Sequence, residues 1–489
     1  MDLRAALRHL DSHINLEATA GRIEGLSLDR MRALMDVLGD PQGAYPVVHI
    51  TGTNGKGSVS RMITDLLRAA DLSVGTYTSP HLESVTERLA WDGSPIDPDT
   101  FAGLIGDLAM VEPMLDAPPS YFELLTAAAL RWFADIPVDV AVVEVGLLGR
   151  FDATNVCDAQ VAVLTNVGRD HTDGQGDWRR RIAEEKSGIV KPGSTFVLGE
   201  TDPDLADVFA AAPAAEVLLR GRDFDVVDDR VALGGRMLTL HTPAHTVDEI
   251  FLPLHGPHQA ANASIALAAA ESLVHHPLDA DAIRAAFASV RVPGRFEVVR
   301  REPTVIIDGA HNVDGAAAAA RTLAEEFTLS GALVLVVGML EGRDPIAVLE
   351  ALRATEAGFL VACTPPSPRA IPAAQVAAAA DSLGIVAEAV PDVHDALRRA
   401  LAFASDEDLI LVTGSLYVIG PARTYLLREA DDDLASAELD ESDEADDVRS
   451  WDASRRSAAT AAGLSDLSNE IDLADERDGS DEEAAGWDR

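Results

Sequence analysis

Residues 47–58 combine a glycine-rich turn with a lysine and a serine, which is a combination suited to holding an anion. An apolar, β-branched run ends at Thr51, and an amphipathic helix is predicted to begin at about Gly57. A strand, a glycine loop and a helix in this order direct backbone N–H groups and a helix N-terminus at one anion. Lys56 adds a mobile positive charge, and the Ser58 hydroxyl can reach a phosphate or its Mg²⁺. We therefore predict a nucleotide phosphate site made by Gly52, Thr53, Asn54, Gly55, Lys56, Gly57 and Ser58.

The spacing of this loop differs from the common phosphate-loop pattern, in which four residues separate the first glycine from the Gly-Lys pair. Here two residues separate Gly52 from Gly55, and an extra glycine precedes Ser58. The alternative is an ordinary glycine-rich turn between a strand and a helix. The flanking strand and helix favour the phosphate site.

Polar residues also follow two other predicted strands. Glu144 stands at the carboxyl end of an almost wholly apolar run, 138–146, and His171 lies just past the strand predicted at 160–165. A buried carboxylate needs a partner, and a metal ion near the phosphates would supply one. A glutamate that reaches solvent and a histidine that only forms hydrogen bonds are the alternatives. Their shared place beside the phosphate loop favours metal ligands, since open α/β sheets bind ligands at the carboxyl ends of their strands.

Lysine is depleted throughout the chain: of 39 basic residues only Lys56, Lys186 and Lys191 are lysines. The surviving lysines are therefore candidates for positions where arginine cannot substitute. For Lys186 the alternative is a solvated charged helix face with Glu184 and Glu185. Lys191, beside a Pro-Gly pair, is equally well explained as a turn residue.

The composition indicates a protein built for high salt. There are 81 acidic residues against 39 basic ones, which gives a net charge of −42. Such self-repulsion is screened in molar salt, where the Debye length falls to about 3 Å. The absence of a basic stripe disfavours nucleic-acid binding. No apolar segment is typical of a signal peptide or a membrane span, so we expect a cytoplasmic protein that does not bind membranes.

The 489 residues allow two or three domains. Residues 296–430 alternate predicted strands and helices, which implies a second parallel sheet, and a hinge between domains is predicted at residues 292–295. From Asp431 onward 21 acidic residues stand against five arginines, which predicts a disordered acidic tail. The expected division is 1–293, 294–430 and the tail 431–489.

Taken in order, these motifs resemble the folylpolyglutamate synthase/dihydrofolate synthase branch of the Mur ligase superfamily, over about residues 20–425. The resemblance implies an α/β fold, with an N-terminal phosphate-loop ATPase domain on a parallel sheet and a smaller, Rossmann-like C-terminal domain. One departure is Leu148, where the family usually has a glycine. The matching segments are 52–58, 78–82, 121–123, 144–146, 149–155, 166–171, 185–186, 258–263, 293–295, 308–312 and 413–415.

The implied reaction is an ATP-dependent amide ligation. A carboxylate of dihydropteroate or folate attacks the γ-phosphate to give an acyl phosphate, and L-glutamate displaces phosphate. ATP is a co-substrate, Mg²⁺ is the cofactor, and the enzyme is expected to act as a monomer. The sequence does not decide between the two acceptors.

The resemblance also implies roles for particular residues. Mg²⁺ positions match Ser79, Glu144 and His171, and Lys186 matches a carbamylated lysine that serves a second Mg²⁺. Lys56, Lys186 and His171 are the expected catalytic residues. Contacts to ATP match Asn262, Arg295 and Asp308. The pterin pocket matches Leu28, Asp29, Arg30, Tyr121, Phe122, Glu123, Phe151 and Asp152.

Three alternatives remain at this stage. A GTPase, motor or kinase is disfavoured by the shortened loop and the second α/β domain. A non-catalytic nucleotide-binding module is disfavoured by the coincidence of Lys56, Glu144, His171 and Lys186. A peptidoglycan-type ligase lacks support from the matches at 79–81 and 121–123.

Overall fold

The computed structural model describes residues 1–15, 27–169 and 176–429, and these residues form three β-sheets with flanking helices. The predicted acidic tail, 431–489, lies outside the described residues. No helix in the described ranges is long and apolar enough to cross a membrane.

The first sheet has eight strands in the order β4-β3-β2-β5-β1-β6-β7-β8. Strands β2, β5, β1, β6, β7 and β8 run parallel, whereas β3 pairs antiparallel with β2 and the edge strand β4 pairs antiparallel with β3. Every residue of β1, β5 and β6 is buried, as their apolar, β-branched sequences predict for central parallel strands. The strands are β1 (Val47–Thr51), β2 (Val74–Tyr77), β3 (Leu89–Trp91), β4 (Ser94–Pro95), β5 (Val140–Glu144), β6 (Val161–Leu164), β7 (Thr195–Leu198) and β8 (Glu216–Leu219).

Helices cover both faces of this sheet. The phosphate-loop helix α3, with α8 and α9, packs on one face, and the four N-terminal helices α1, α2, α4 and α5 pack on the other. The helices are α1 (Leu3–Asp11), α2 (Asp29–Leu38), α3 (Lys56–Ala69), α4 (Pro98–Val111), α5 (Tyr121–Asp135), α6 (Trp178–Ser187), α7 (Ala206–Ala210), α8 (Pro257–Val274) and α9 (Ala280–Ser289).

A small antiparallel sheet follows the first sheet, in a region (194–250) whose sequence predicts a strand, a helix and short β elements without a recognisable motif. It has the order β11-β10-β9, with β9 (Asp225–Ala232), β10 (Gly235–His241) and β11 (Thr246–Leu252). The turn between β9 and β10 contains Gly234 at a φ of +77°, a conformation that glycine adopts without strain. One face of this sheet joins the core beneath α8, which explains the alternation of buried and partly buried residues in β10.

The second α/β region confirms the predicted alternation of strands and helices. Its six-stranded sheet has the order β12-β13-β17-β14-β15-β16 and is parallel except for the edge strand β12. The strands are β12 (Glu297–Arg301), β13 (Thr304–Ile307), β14 (Leu333–Val337), β15 (Phe359–Ala362), β16 (Ala387–Ala389) and β17 (Leu409–Thr413). The helices are α10 (Val313–Glu326), α11 (Pro345–Ala351), α12 (Ala373–Ser382), α13 (Val393–Phe403) and a last helix, α14, over residues 416–429.

Short 3₁₀ turns complete the described secondary structure, at Pro41–Gly43, Val85–Arg88, Glu112–Met114, Ala153–Val156, Pro203–Leu205 and Ala354–Glu356. The predicted division at 293/294 falls in the loop between α9 and β12, and it stays a prediction.

Candidate active site

Four neighbouring strands of the first sheet, β2, β5, β1 and β6, end at one edge, and their carboxyl ends carry most of the residues predicted to do chemistry. Ser79 follows β2, Glu144 ends β5, the phosphate loop follows β1, and residues 165–168 follow β6. We call this group the strand-end site. Because parallel strands align their carboxyl ends, the topology brings these residues together although Gly52 and Gly168 are 116 positions apart.

The phosphate loop owes its shape to close packing. Gly55 has a φ of +84°, and a Cβ there would lie 2.6 Å from Oδ1 of Asn262 in α8. At Gly52 a Cβ would lie 1.8 Å from Oγ1 of Thr165. Both positions therefore require glycine, and Asn262 lies against the loop, as the resemblance implied for an ATP contact.

The residues after β6 fix the loop from the other side. Thr165 Oγ1 and Asn166 Nδ2 both donate to the carbonyl oxygen of Asn54, at 2.6 and 3.1 Å. The backbone N–H of Asn54 in turn donates to Asn166 Oδ1 at 3.0 Å. A loop held in this way presents its backbone N–H groups without reorganisation when an anion arrives.

Lys56 lies at the start of α3, beneath the loop. Its Nζ donates to the carbonyl oxygens of Gly52 and Thr53, at 3.2 and 3.5 Å. These are long, weak bonds to neutral acceptors, so the ammonium group can exchange them for phosphate oxygens at small cost.

Glu144 is buried at the end of β5, and the desolvation raises its pKa to about 7. The nearby charge of Lys56 and a bond from the backbone N–H of Ser79 to Oε2, at 3.3 Å, act in the opposite direction without compensating the burial. A carboxylate with so little compensation is one that a divalent cation would stabilise. The Ser79 hydroxyl and the Glu144 carboxylate are oxygen donors of the kind that Mg²⁺ prefers, so the residues present fit the metal that the resemblance implied.

Lys186 is buried in α6 and lines a cavity of about 30 Å³. The cavity is shared with the phosphate loop, since its walls also include Gly52, Thr53 and Lys56. The alternative of a solvated helix face is therefore wrong for Lys186, although Glu184 and Glu185 of the same helix are partly exposed. Lys191, by contrast, donates to the carbonyl oxygen of Asn155 at 3.0 Å and ties down a loop.

His171, the third predicted metal ligand, lies outside the described residues. Its role as a metal ligand therefore stays a prediction.

Two predicted ATP residues come from the second α/β region. The Arg295 guanidinium lies so close to Gly309 that a Cβ there would be 1.9 Å from its Nη1. Asp308 is buried, and its two carboxylate oxygens accept bonds from the backbone N–H groups of Phe296, at 3.0 Å, and Ala310, at 2.9 Å. Asp308 thus holds the loop that carries Arg295 in place.

Part of the predicted pterin pocket is assembled. Arg30 at the start of α2 pairs with Glu123 in α5, with Nε 3.2 Å from Oε2. Glu123 also closes the capping box of α5 with Ser120, and Tyr121 lies beneath the guanidinium of Arg88. The N-terminal turns of α2 and α5 therefore meet, with Leu28 buried beside them.

Other members of the predicted pocket are separated from this group or used differently. Asp29 is exposed and faces Arg32 on its own helix. Phe122 turns to the strand-end site, where its ring lies 2.4 Å from the position of a Cβ on Gly146. Phe151 is exposed, which leaves an aromatic face open to a ligand.

Asp152 is committed to the backbone of its own loop. Its carboxylate accepts from the backbone N–H groups of Leu147, at 2.8 Å, and Thr154, at 3.0 Å. Between them Leu148 has a φ of +60°, a left-handed conformation that favours glycine. Leu148 therefore has a glycine-like backbone conformation at a position where the resemblance leads one to expect glycine.

Sequence reasoning assigned no role to Asn312 and Asp314, which connect the two α/β regions. Asn312 Nδ2 donates to Oδ1 of Asn54 at 3.0 Å, and the backbone N–H of Arg169 donates to Asp314 Oδ2 at 3.2 Å. The only signal in the sequence was the polar run at 308–312 after a strand, since contacts across 258 residues leave no local pattern.

Comparisons with known proteins cover most of this chain. The family model "Mur ligase middle domain" matches residues 116–270, and "Mur ligase, glutamate ligase domain" matches residues 294–416. A dihydrofolate synthase/folylpolyglutamate synthase of Mycobacterium tuberculosis is 40% identical over 442 residues, which cover 82% of this chain and 90% of that protein. A probable bifunctional folylpolyglutamate synthase/dihydropteroate synthase of Haloferax volcanii is 37% identical over 82% of this chain, which spans only 48% of that protein.

Solved structures give the same result. A folylpolyglutamate synthase of M. tuberculosis complexed with ADP has a TM-score of 0.81 and 39% identity, covering 87% of this chain and 98% of that one. A bifunctional folylpolyglutamate synthase/dihydrofolate synthase with Mn, AMPPNP and L-glutamate bound has a TM-score of 0.76 and 30% identity, with coverage of 87% and 98%.

Proposed function

The chain belongs to the folylpolyglutamate synthase/dihydrofolate synthase family of Mur ligases, and we propose that it adds L-glutamate to a pteroate or folate acceptor at the strand-end site. The reaction is ATP-dependent and forms an amide bond. One observation supports the assignment of this reaction to particular residues. The phosphate loop, buried Glu144 and the Lys186 cavity all lie at one edge of the first sheet.

The chemistry has two steps. A carboxylate oxygen of the acceptor attacks the γ-phosphorus of ATP, the bond to the β,γ-bridging oxygen breaks, and ADP leaves. The amine of L-glutamate then attacks the acyl carbon of the acyl phosphate, phosphate leaves, and the nitrogen gives up a proton. Both steps bring anions or lone pairs towards a highly charged centre, so the site must supply positive charge and donors.

The phosphate loop supplies much of that stabilisation. Its N–H groups, held by Thr165 and Asn166, are aimed at the nucleotide, and Lys56 moves from the carbonyl oxygens of Gly52 and Thr53 to the phosphates. Asn262 lies against the same loop from α8. These groups orient the γ-phosphate for attack.

Ser79 and Glu144, together with His171, are the residues that would hold Mg²⁺. When bound, Mg²⁺ neutralises phosphate charge and so favours attack by a carboxylate. Lys186 would serve a second ion as a carbamate, in which the amine has added CO₂ and released a proton. Its position in the cavity beside Gly52 and Lys56 supports this proposal.

The second α/β region closes the nucleotide side of the site. Arg295 and the loop held by Asp308 face the cleft, and Asn312 reaches the phosphate loop itself through Asn54. Closure of this kind protects an acyl phosphate from water. The acceptor would lie between Tyr121, Phe122 and the exposed ring of Phe151, with Leu28 and Arg30 at the edge.

The test is release of ADP by the purified chain in molar KCl with Mg²⁺ and ATP, with each of dihydropteroate and tetrahydrofolate offered in turn. We expect ADP release that requires both L-glutamate and an acceptor, and a product heavier by one glutamyl residue. ADP release that requires neither L-glutamate nor an acceptor would contradict the proposal. The same panel decides the acceptor preference, while a monomeric state and a cytoplasmic location stay predictions.

A further inference from the structure

We propose that His9, His13 and Glu112 form a binding site for one divalent cation of the zinc class, separate from the strand-end site. The three side chains offer two imidazole nitrogens and a carboxylate oxygen, and all three ligand atoms lie within 4.8 Å of one another. None of them belongs to the phosphate loop or to the predicted pterin residues.

The three side chains lie at or just beyond the carboxyl ends of α1 and α4. His9 lies in the last turn of α1, and His13 follows four residues later, so both imidazoles lie on one side of the helix end. Glu112 stands directly after α4, which packs against α1. His9 Nε2 is 2.7 Å from Glu112 Oε1, and His13 Nε2 is 3.1 Å from Oε2.

The hydrogen-bonding partners of His13 show that a positive charge belongs between these groups. Its Nδ1 is 2.8 Å from the carbonyl oxygen of His9, which only accepts, so Nδ1 carries the proton. A neutral His13 then has a lone pair on Nε2, directed at a carboxylate oxygen 3.1 Å away. Two acceptors face each other unless a second proton or a metal ion lies between them. An imidazole that donates one N–H to a carbonyl and offers its other nitrogen is the usual arrangement of a metal-bound histidine.

The surroundings favour a cation. The carboxyl ends of α1 and α4 meet here, and helix dipoles place partial negative charge at such ends. The side chains are 25%, 9% and 15% exposed for His9, His13 and Glu112, so an ion can enter from solvent and remain sheltered.

The donor set selects the class of metal. Two imidazoles and one carboxylate with an open fourth position suit Zn²⁺, and also Co²⁺ or Ni²⁺, whereas Mg²⁺ prefers oxygen ligands. The Mg²⁺ that the reaction needs will therefore compete poorly for this site. Bound metal would connect α1 to α4 at the point where the carbonyl oxygen of Ile14 accepts from the backbone N–H of Tyr121, next to the predicted acceptor pocket.

The experiment uses the full chain without a histidine tag, in molar KCl with excess MgCl₂. Equilibrium dialysis against ZnCl₂ gives stoichiometry and affinity, and Co²⁺ absorption reports the coordination. We expect one site per chain, a Zn²⁺-dependent rise in Tm, and affinity weaker by about 100-fold or more in His9→Asn/His13→Asn, since loss of direct ligands costs more than loss of an outer-shell partner. Glu112→Gln, which keeps the shape of the side chain but not its charge, should weaken binding by a smaller factor, about 10-fold or more.

The matched control is His275→Asn/His276→Asn, which removes two exposed histidines that are adjacent in sequence. It should bind Zn²⁺ as the unaltered chain does. Equal Zn²⁺ affinity in the unaltered chain, His9→Asn/His13→Asn and Glu112→Gln would overturn the proposal. The proposal would also be overturned if Tm did not respond to Zn²⁺ and its pH dependence differed between the unaltered chain and His9→Asn/His13→Asn. A proton would then occupy the position assigned to the metal.

Discussion

The two large sheets of this molecule each carry polar residues beyond a strand end, but the residues are built for different tasks. In the first sheet, Glu144 is buried with a pKa raised to about 7, and Lys56 makes only long bonds to carbonyl oxygens. In the second, Asp308 is buried to a similar degree but receives two backbone N–H bonds. Asn312 likewise caps α10 through Gly315 and bonds to Asn54.

The first strand end lacks a compensating cation, and we call it a site for charge. The second fixes the conformation of a loop, and we call it a site for shape. A buried carboxylate with few protein partners destabilises the folded chain until a cation binds to it. Relief of this unfavourable free energy therefore favours cation binding. A carboxylate already bonded to backbone groups contributes geometry instead. Similar α/β topology therefore supports chemistry at one strand end and the positioning of a partner loop at the other.

The largest effect is expected at Lys186. Lys186→Arg keeps a positive charge but cannot form a carbamate, so kcat should fall by about 100-fold or more, as for loss of a main electrostatic stabiliser. Lys186→Ala should be partly rescued by acetate, which can occupy the vacated space. The control is Lys191→Arg, which can still donate to the carbonyl oxygen of Asn155 and should turn over normally. Near-normal turnover of Lys186→Arg would remove Lys186 from the chemistry.

A second prediction concerns buried polar groups beneath the first site. Burial lowers the pKa of His49 in β1 to about 3, and its Nε2 lies 2.8 Å from Oγ1 of Thr154. Below about pH 6.5 the unfolded chain takes up a proton that the folded chain refuses until about pH 3, so stability is lost as pH falls through this window. The free energy of unfolding should therefore fall more steeply than in His49→Gln, by about 1.4 kcal/mol per pH unit. Parallel curves from chemical denaturation, measured between pH 6 and 4, would show that His49 is protonated in the folded chain.

The next prediction tests the positioning role of the second strand end. Asn312→Asp keeps the oxygen that caps α10 but loses the N–H donated to Asn54. We expect an unchanged Tm and a fall in kcat/KM of about 2- to 10-fold, the size expected for one hydrogen bond. A large loss of Tm with unchanged kinetics would mean that Asn312 serves folding alone.

How far the sequence predicts this arrangement depends on the range of the interaction. The apolar runs predict β1, β5 and β6, and the polar residue at the end of β5 predicts Glu144, because both signals are local. The partner of Asn54 lies 258 residues away and leaves no periodic trace. The bonding of Asp152 to its own loop is not predictable, because a carboxylate looks the same in a sequence whether it contacts a ligand or the backbone. The cap formed by Glu123 is different, since the Ser120-x-x-Glu123 spacing is a local capping-box signal.

The smallest effect is expected at Leu148, whose φ of +60° suits glycine. Leu148→Ala and Leu148→Gly both remove the side chain, yet only glycine relieves the left-handed backbone. We expect Leu148→Gly to be more stable than Leu148→Ala by about 1 kcal/mol, the reverse of the usual order. Thermal unfolding of the pair measures it, and a more stable alanine variant would show that the loop can relax to negative φ.

The most direct measurement compares the two strand-end carboxylates as Mg²⁺ is titrated. Binding of a non-hydrolysable ATP analogue is followed in the unaltered chain, Glu144→Gln and Asp308→Asn. We expect Glu144→Gln to lose most of the Mg²⁺ dependence of binding. Asp308→Asn should bind the analogue more weakly at every Mg²⁺ concentration, with the Mg²⁺ midpoint unchanged. An unaltered Mg²⁺ titration in Glu144→Gln, or a shifted midpoint confined to Asp308→Asn, would contradict the division between a site for charge and a site for shape.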